Sequence, residues 1–232
     1  MKSVVVLTGA GVSAESGIAT FRDKGGLWEG HDINKVATLK GYRENPSLVH
    51  KFYNARRSVL FSEEVKPNAA HIALALLERE WKGKFLLVTQ NIDNLHERAG
   101  SKNVIHMHGE LLKLRCEASG LIHPWSYSSG SLISLCPCCK KASRLRPHVV
   151  WFGEAPLEMP KIESALRSAT HFVSIGTSGR VYPAAGFVRS IKESAESYEL
   201  NVEDSWVSSE FKSQRTGKAS ETVPILVNEL IS

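Results

Sequence analysis

The sequence predicts an α/β fold, a parallel sheet with helices on both faces. Three observations predict it. Short apolar runs alternate with stretches of helical periodicity, and each run stops at small or polar residues, as strands do where they leave a sheet. The 232 residues are 42% hydrophobic and 23% charged, the balance of an ordinary globular protein. No stretch approaches the roughly 20 apolar residues that span a bilayer. That length suits one domain, 1–232, with room for small inserts.

The elements follow in order. Val4–Leu7 is a strand ending in Thr8-Gly9-Ala10-Gly11. Its few apolar residues before a glycine turn are too short for a secretory h-region and carry no cleavage site, so the expected setting is cytoplasmic. Residues 28–64 are mixed and mainly helical. Asn68–Trp81 has helical periodicity behind Pro67. Phe85–Thr89 and Val104–His106 are strands, the second leading to His108-Gly109. Residues 115–145 are irregular, rich in Ser and Gly, and hold every cysteine. Phe172–Ile175 is a strand ending in Gly176-Thr177-Ser178-Gly179, Tyr198–Leu200 a strand followed by Asn201, and Val223–Ile231 a closing helix. The segments 28–64 and 115–145 interrupt the alternation and read as inserts. Ligands of open α/β sheets bind beyond the carboxyl ends of the strands, so one site is expected where these ends converge.

The formal charge is +5 and the pI about 9.0, with Lys and Arg scattered. A solvated basic surface explains that balance. No motif supports nucleic-acid binding, and none is predicted.

Glycines in Thr8–Ala14 suit a tight strand-to-helix turn, or the approach of backbone to a pyrophosphate. A dehydrogenase would follow with a second strand ending in an acid about 20 residues on. This chain instead continues through Ser16-Gly17-Ile18-Ala19-Thr20-Phe21-Arg22-Asp23 into a glycine-bearing loop. A dinucleotide used in another way is the expectation. Thr89-Gln90-Asn91-Ile92-Asp93-Asn94 brings amides and a carboxylate to a strand end. Such groups hold ribose hydroxyls, a carboxamide or water, or else cap a turn. His106 and His108 share a face if the strand runs on through both. His108, beside Gly109, is the better candidate for a general base near neutral pH.

These residues resemble the signatures of the sirtuins. Gly9–Ile18 with Phe21-Arg22 is similar to the first motif, and Thr89-Gln90-Asn91-Ile92-Asp93 with Leu95-His96 to the second. His108-Gly109, Phe152-Gly153-Glu154, Gly176-Thr177-Ser178 and Asn201 fall in the family's order. Within the family the chain looks most like the bacterial CobB type. The resemblance implies a Rossmann-like domain carrying a zinc module. It also implies a reaction in which NAD, as co-substrate, accepts an acyl group from lysine and releases nicotinamide and O-acyl-ADP-ribose. His108 would be the base, with Asn91 and Asp93 at the water and nicotinamide end and Gln90 near the ribose. Cofactor contacts would come from Gly9, Ala10, Gly11, Ser13, Ala14, Gly17, Ile18, Thr20, Phe21, Arg22, Trp28 and Ile92. On the adenosine side they would come from Gly176, Thr177, Ser178, Asn201, Val202, Glu203 and Ala219. The acyl-lysine protein would bind as an extended peptide along Val149, Phe152, Gly153 and Glu154, the enzyme acting as a monomer. Protein mono-ADP-ribosylation and non-catalytic NAD sensing are the competing functions.

Tyr53 and Arg56 are three apart on a predicted helix and so share a face. An arginine grips a carboxylate through two parallel hydrogen bonds, and a tyrosine adds a third. A solvated arginine beside a packing tyrosine gives the same spacing. The pair resembles the Tyr-x-x-Arg of sirtuins that accept succinyl- and malonyl-lysine, which implies desuccinylation beside deacetylation. Clustered cysteines favour a metal over a disulfide scaffold. The family's structural zinc site has two Cys-x-x-Cys pairs. Here Cys136 and Cys139 form one, while Cys116 is followed by Ser119 instead of a second cysteine. Cys138 and His123 are the candidates for the fourth ligand.

Overall fold

The computed structural model describes residues 2–20, 31–125, 136–140 and 145–232. Six parallel strands form the main sheet: β1 (Ser3–Thr8), β2 (Lys84–Thr89), β3 (Val104–His106), β7 (His171–Ile175), β8 (Glu196–Asn201) and β9 (Ser213–Thr216). Their spatial order is β3-β2-β1-β7-β8-β9. The order runs outward in both directions from β1, and its reversal lies between β1 and β7, the position where doubly wound sheets open a crevice.

β1 shows why this sheet is covered on both faces. All six of its residues are buried. Successive side chains point to opposite faces. Val4 and Val6 join one core with α5 (Ala69–Glu80) and α8 (Ala219–Ile231). Val5 and Leu7 join the other with α7 (Met159–Ser168) and the 3₁₀ helix Ala184–Ser190. α5 starts where the Asn68 side chain accepts the Ala70 N–H at 2.9 Å and the His71 Nδ1 accepts the Asn68 N–H at 3.3 Å. α8 begins four residues before the expected Val223, because the Glu15 carboxylate accepts both the N–H and the hydroxyl of Ser220 at its amino end.

The region after His108 departs from expectation. Irregular chain is expected from residue 115, yet a three-stranded antiparallel sheet, ordered β5-β4-β6, begins earlier. It comprises β4 (Gly109–Cys116), β5 (Ile122–Pro124) and β6 (Leu145–Val149). Gly109 makes the exit from the parallel sheet. Its φ is +83°, and a Cβ there would lie 2.1 Å from the His148 carbonyl oxygen. The helical insert holds α2 (Ile33–Val36), α3 (Leu39–Glu44) and α4 (Pro46–Leu60). α4 carries Pro46 in its first turn, and the Asn45 side chain caps it by accepting the Leu48 N–H at 3.0 Å. The insert packs Val49, Phe52 and Tyr53 against Leu111, Val149 and Trp151, which closes one side of the crevice. Among the described residues no helix is long and apolar enough to cross a membrane.

Candidate active site

Three loops meet at the reversal of the sheet. Gly9 N–H donates to the Ile175 carbonyl and Gly11 N–H to that of Gly176, both at 2.9 Å, while Gly176 N–H reaches Leu200 O at 3.0 Å. A Cβ on Gly9 would stand 2.7 Å from Gly176 O, and one on Gly11 2.7 Å from Gly176 Cα. The glycines are therefore required first by one another, backbone against backbone. This reason differs from the pyrophosphate approach that the sequence suggests. Gln90 Nε2 donates to Thr177 Oγ1 at 3.2 Å, Asn201 Nδ2 to Thr177 O at 2.9 Å, and Trp206 N–H to Ser178 O at 3.1 Å. These bonds gather Gln90, Thr177, Ser178 and Asn201 into one rim, with Val202 and Glu203 exposed beside it. Ala219 is buried at the start of α8, and Thr20 is half-buried. Phe21, Arg22 and Trp28 lie outside the described residues.

Below the rim is a cavity of about 170 Å³ that Ala10, Gly17, Ile18 and Ile92 help to line; Ala14, one turn on, is exposed. At its polar end Ser13 is a hub. Its hydroxyl donates to Asp93 Oδ2 at 3.1 Å and accepts from Asn91 Nδ2 at 3.1 Å. His71 Nε2 lies 3.5 Å from the same oxygen. Because His71 Nδ1 accepts the Asn68 N–H, its proton sits on Nε2 and points to Ser13; this tautomer is assigned from the network. Asn91 spends its amide N–H on Ser13. Its Oδ1 is buried without a hydrogen-bond partner among the described residues, an acceptor at the wall of the cavity. Burial raises the Asp93 carboxyl above the usual range, opposed by the Leu95 N–H and the Ser13 hydroxyl. Behind the hub, His96 Nε2 lies 3.0 Å from Thr8 Oγ1, and its ring is 4.9 Å from that of His71. Burial lowers His71 to about 4 and His96 well below an ordinary imidazole, so both are neutral.

The two further imidazoles differ. β3 ends at His106, so His108 sits in the turn beyond rather than sharing a strand face. His108 Nδ1 lies 3.1 Å from the Gln90 carbonyl oxygen. A carbonyl only accepts, so Nδ1 carries the proton and Nε2 keeps a lone pair. Burial lowers the His108 pKa, more than the Gln90 contact raises it. The result is an unprotonated nitrogen at neutral pH, as a general base requires. His106 goes the other way. Burial alone would lower it, but the Glu97 carboxylate 2.8 Å from Nε2 and the Asn91 carbonyl at Nδ1 outweigh that and raise it.

On the insert side, Arg56 lines the cavity and donates from Nη1 to Phe52 O at 2.9 Å. Tyr53 is buried beneath it, with its hydroxyl accepting from Trp151 Nε1 at 3.0 Å. Along the expected peptide segment most backbone donors are already used. Val150 N–H goes to His108 O, Phe152 N–H to Ala37 O, and the N–H groups of Trp151 and Glu154 to each other's side chain and carbonyl. Gly153, with φ +90° and open space around it, keeps a free N–H among the described residues. Val149 is core, and its carbonyl accepts from Arg146 Nη2. Glu154 is held by two hydrogen bonds from Arg146, at 2.6 and 2.8 Å.

The sulfurs of Cys116, Cys136, Cys138 and Cys139 all lie within 4.8 Å of one another. Tetrahedral zinc with bonds near 2.3 Å separates its thiolates by about 3.8 Å, and Cys116 and Cys139 are 3.8 Å apart. Ser119 Oγ is 3.3 Å from Cys138 Sγ, and His123 Nε2 is 4.0 Å from Cys136 Sγ. Cys136 and Cys138 stand closer, at 3.1 Å, so the four thiols gather round one centre that suits a zinc ion in donor chemistry, with one pair tighter than a tetrahedral site.

Sequence reasoning missed His71 and Trp151. The Asn68-x-x-His71 spacing was the available signal for the first. The second had none, because its partner Tyr53 lies far away in the sequence.

A polar hub at the reversal of a doubly wound sheet marks an α/β enzyme that uses a nucleotide, and the lone-pair nitrogen of His108 is suited to acid–base chemistry. The chain belongs to the Sir2 family, whose model matches residues 9–183. It is 59% identical over 222 residues to the NAD-dependent protein deacylase of Pasteurella multocida, covering 95% of this chain and 94% of that protein. It is 57% identical over 231 residues to the enzyme of the same name in Salmonella typhimurium, covering 98% and 84%. A solved Sir2 homolog–NAD complex superposes with a TM-score of 0.88 at 37% identity, covering all of this chain and 91% of the other. A structure of Sir2Af2 bound to a myristoylated histone peptide superposes at 0.75 with 31% identity, covering 99% and 91%.

Proposed function

We propose that this chain is an NAD-dependent protein-lysine deacylase that removes acetyl and succinyl or malonyl groups. The observation that carries the reading is His108, held with Nε2 unprotonated by the carbonyl of Gln90, which is next in the chain to Asn91, whose buried Oδ1 has no partner among the described residues. NAD supplies the ribosyl unit that receives the acyl group, and free lysine, nicotinamide and O-acyl-ADP-ribose are the products. His108 Nε2 takes the proton of a ribose hydroxyl. Asn91 Oδ1 accepts from the carboxamide or from a water. Asp93 holds Ser13, and through it the Asn91 amide, in register. Ser178, Asn201, Val202 and Glu203 form the adenosine side of the rim. Arg56 faces the acyl end, where its guanidinium pairs with a succinyl carboxylate, Tyr53 assisting. The acyl-lysine protein lies along Phe152-Gly153, with the Gly153 N–H as the donor to its backbone. Cys116, Cys136, Cys138 and Cys139 hold a structural zinc far from any step of the reaction. The enzyme works as a monomer in the cytoplasm, where thiolates stay reduced.

The test is mass spectrometry of matched acetyl- and succinyl-lysine peptides, with and without NAD, for the wild type and His108→Tyr. NAD-dependent loss of both acyl groups, absent in the variant, supports the reading. ADP-ribosylated protein without O-acyl-ADP-ribose would replace it with transferase chemistry.

A further inference from the structure

We propose that Trp151 is a positioning residue for acyl selection, its indole N–H fixing the Tyr53 hydroxyl as a donor toward a carboxylate-bearing acyl group. The inference rests on the acyl reading above and adds a residue to it.

An indole N–H can only donate, and a phenol oxygen carries one proton and two lone pairs. The 3.0 Å contact from Trp151 Nε1 therefore uses a lone pair of Tyr53 and forces the phenol's own proton elsewhere. No described residue accepts that proton, although Tyr53 is only 3% exposed. A buried donor without an acceptor is costly unless a ligand completes it. The charges that act on this hydroxyl are all positive: Arg56, Arg146 and Arg57. Burial holds the phenol at about 12, so it remains a donor at any working pH. An idle donor among arginines, one helical turn from the cavity-lining Arg56, suits an anionic acceptor and gives nothing to a methyl group.

Trp151 itself is held rigidly. Its ring lies under the Arg146 guanidinium at 3.5 Å and 5.1 Å from the Tyr42 ring. Its backbone N–H donates to Glu154 Oε2 at 2.9 Å, and that carboxylate is itself gripped by Arg146. The indole thus has one place to point its N–H. This chain of contacts also joins the proposed peptide segment to the acyl reader, since Trp151 and Glu154 flank Gly153.

Trp151→Phe removes the N–H and keeps an aromatic ring for the Arg146 and Tyr42 contacts. The expected result is a fall of roughly 5- to 10-fold in the ratio of desuccinylation to deacetylation kcat/KM, carried mainly by KM for the succinyl peptide. In a double-mutant cycle with Tyr53→Phe, the double variant should have the same ratio as Tyr53→Phe alone. Arg56→Met on the same peptides separates the two levels. If it leaves the ratio unchanged, the carboxylate reading fails and this inference falls with it. If it collapses the ratio while Trp151→Phe does not, or if the effects of Trp151→Phe and Tyr53→Phe simply add, the inference alone is overturned. Equal loss on both peptides in Trp151→Phe would show a merely structural role and also overturn it.

Discussion

The parallel-sheet crevice and the cysteine module are built by opposite means. The crevice is fixed by the chain itself. Apolar cores cover both sheet faces, and three loops are bonded backbone to backbone through glycines that admit no side chain. Among the described residues the module's buried cluster is Leu114, Cys116, Cys136 and Leu145, two of them thiols, with Trp125 and Cys139 packed against it. A cluster built on thiols is tied together by a metal that binds them. The comparison teaches where chemistry and stability are stored. The proposed reacting groups stand on the sheet covered by two apolar cores, and the proposed zinc would serve the thiol cluster.

The sharpest break of this comparison acts on the crevice without touching its frame. His108→Tyr should lower kcat/KM by about 10²- to 10⁴-fold, the range of a lost general base, with the melting temperature little changed. The wild-type acid limb sharpens the same point. As the proposed base His108 acts only when neutral, and burial lowers its pKa from the ordinary imidazole value, so activity should persist at pH 6.5 and fall as the pH drops through the lowered value. A limb centred above 6.5 would count against the assignment. Gly176→Ala attacks the frame instead. Its φ is +62°, and a Cβ would stand 2.5 Å from the Val12 nitrogen. The expected cost is about 3 kcal/mol, or roughly 6–12 °C in melting temperature for a chain of this size. NAD-induced stabilisation should be lost as well. A variant that melts like wild type would show that the glycine contact does not hold the crevice.

Next in size is the response to acid. His71 is held near 4 by burial, so the folded state resists a proton that the unfolded chain accepts at about 6.5. Its stabilisation is complete above pH 6.5 and is lost as the pH falls toward 4. Between pH 7 and 5 that should cost roughly 2 kcal/mol from His71 alone, read as a lower urea midpoint. His106, raised by Glu97, works with opposite sign: its contribution is present below 6.5 and is lost as pH rises through its raised value. Urea midpoints that are flat from pH 7 to 5 would contradict the burial of neutral imidazoles beneath the hub.

How much of this was legible follows from the same contrast. Val4–Leu7, Phe85–Thr89 and Phe172–Ile175 are apolar because central strands are buried on both faces, and their ends located the crevice. β9 escaped notice because Ser213-Gln214-Arg215-Thr216 is polar, as an edge strand permits. β6 escaped because Leu145-Arg146-Pro147-His148-Val149 is buried throughout yet carries a proline, Arg146 and His148, and its Arg146 is paired with Glu154 only in the fold. Ser13, Asn91, Asp93 and His108 were readable from their motifs. The role of His71 was not, since a capping box ordinarily has Glu or Gln at that position. Helical spacing placed Tyr53 and Arg56 on one face. Only the structure shows that Tyr53 turns under Trp151 while Arg56 lines the cavity.

The smallest effect tests the module. Ser119 stands where a cysteine would complete a second Cys-x-x-Cys pair, and its Oγ contacts Cys138 Sγ at 3.3 Å and accepts the Leu121 N–H at 3.2 Å. If Cys138 is the fourth zinc ligand, this serine orients it, which explains how adjacent Cys138 and Cys139 both face one centre. Ser119→Ala should then retain one zinc per chain but release it several-fold faster to a chromogenic chelator, the scale of one lost hydrogen bond of about 1 kcal/mol. The melting temperature should fall by roughly 2–4 °C with zinc bound, and by less once a chelator has stripped the metal from both proteins. Cys138→Ser should lower the zinc content outright, while the double change Ser119→Cys with Cys138→Ser should restore it by rebuilding the pair. Full zinc content in Cys138→Ser would remove Cys138 from the ligand set and return His123, 4.0 Å from Cys136 Sγ, as the alternative.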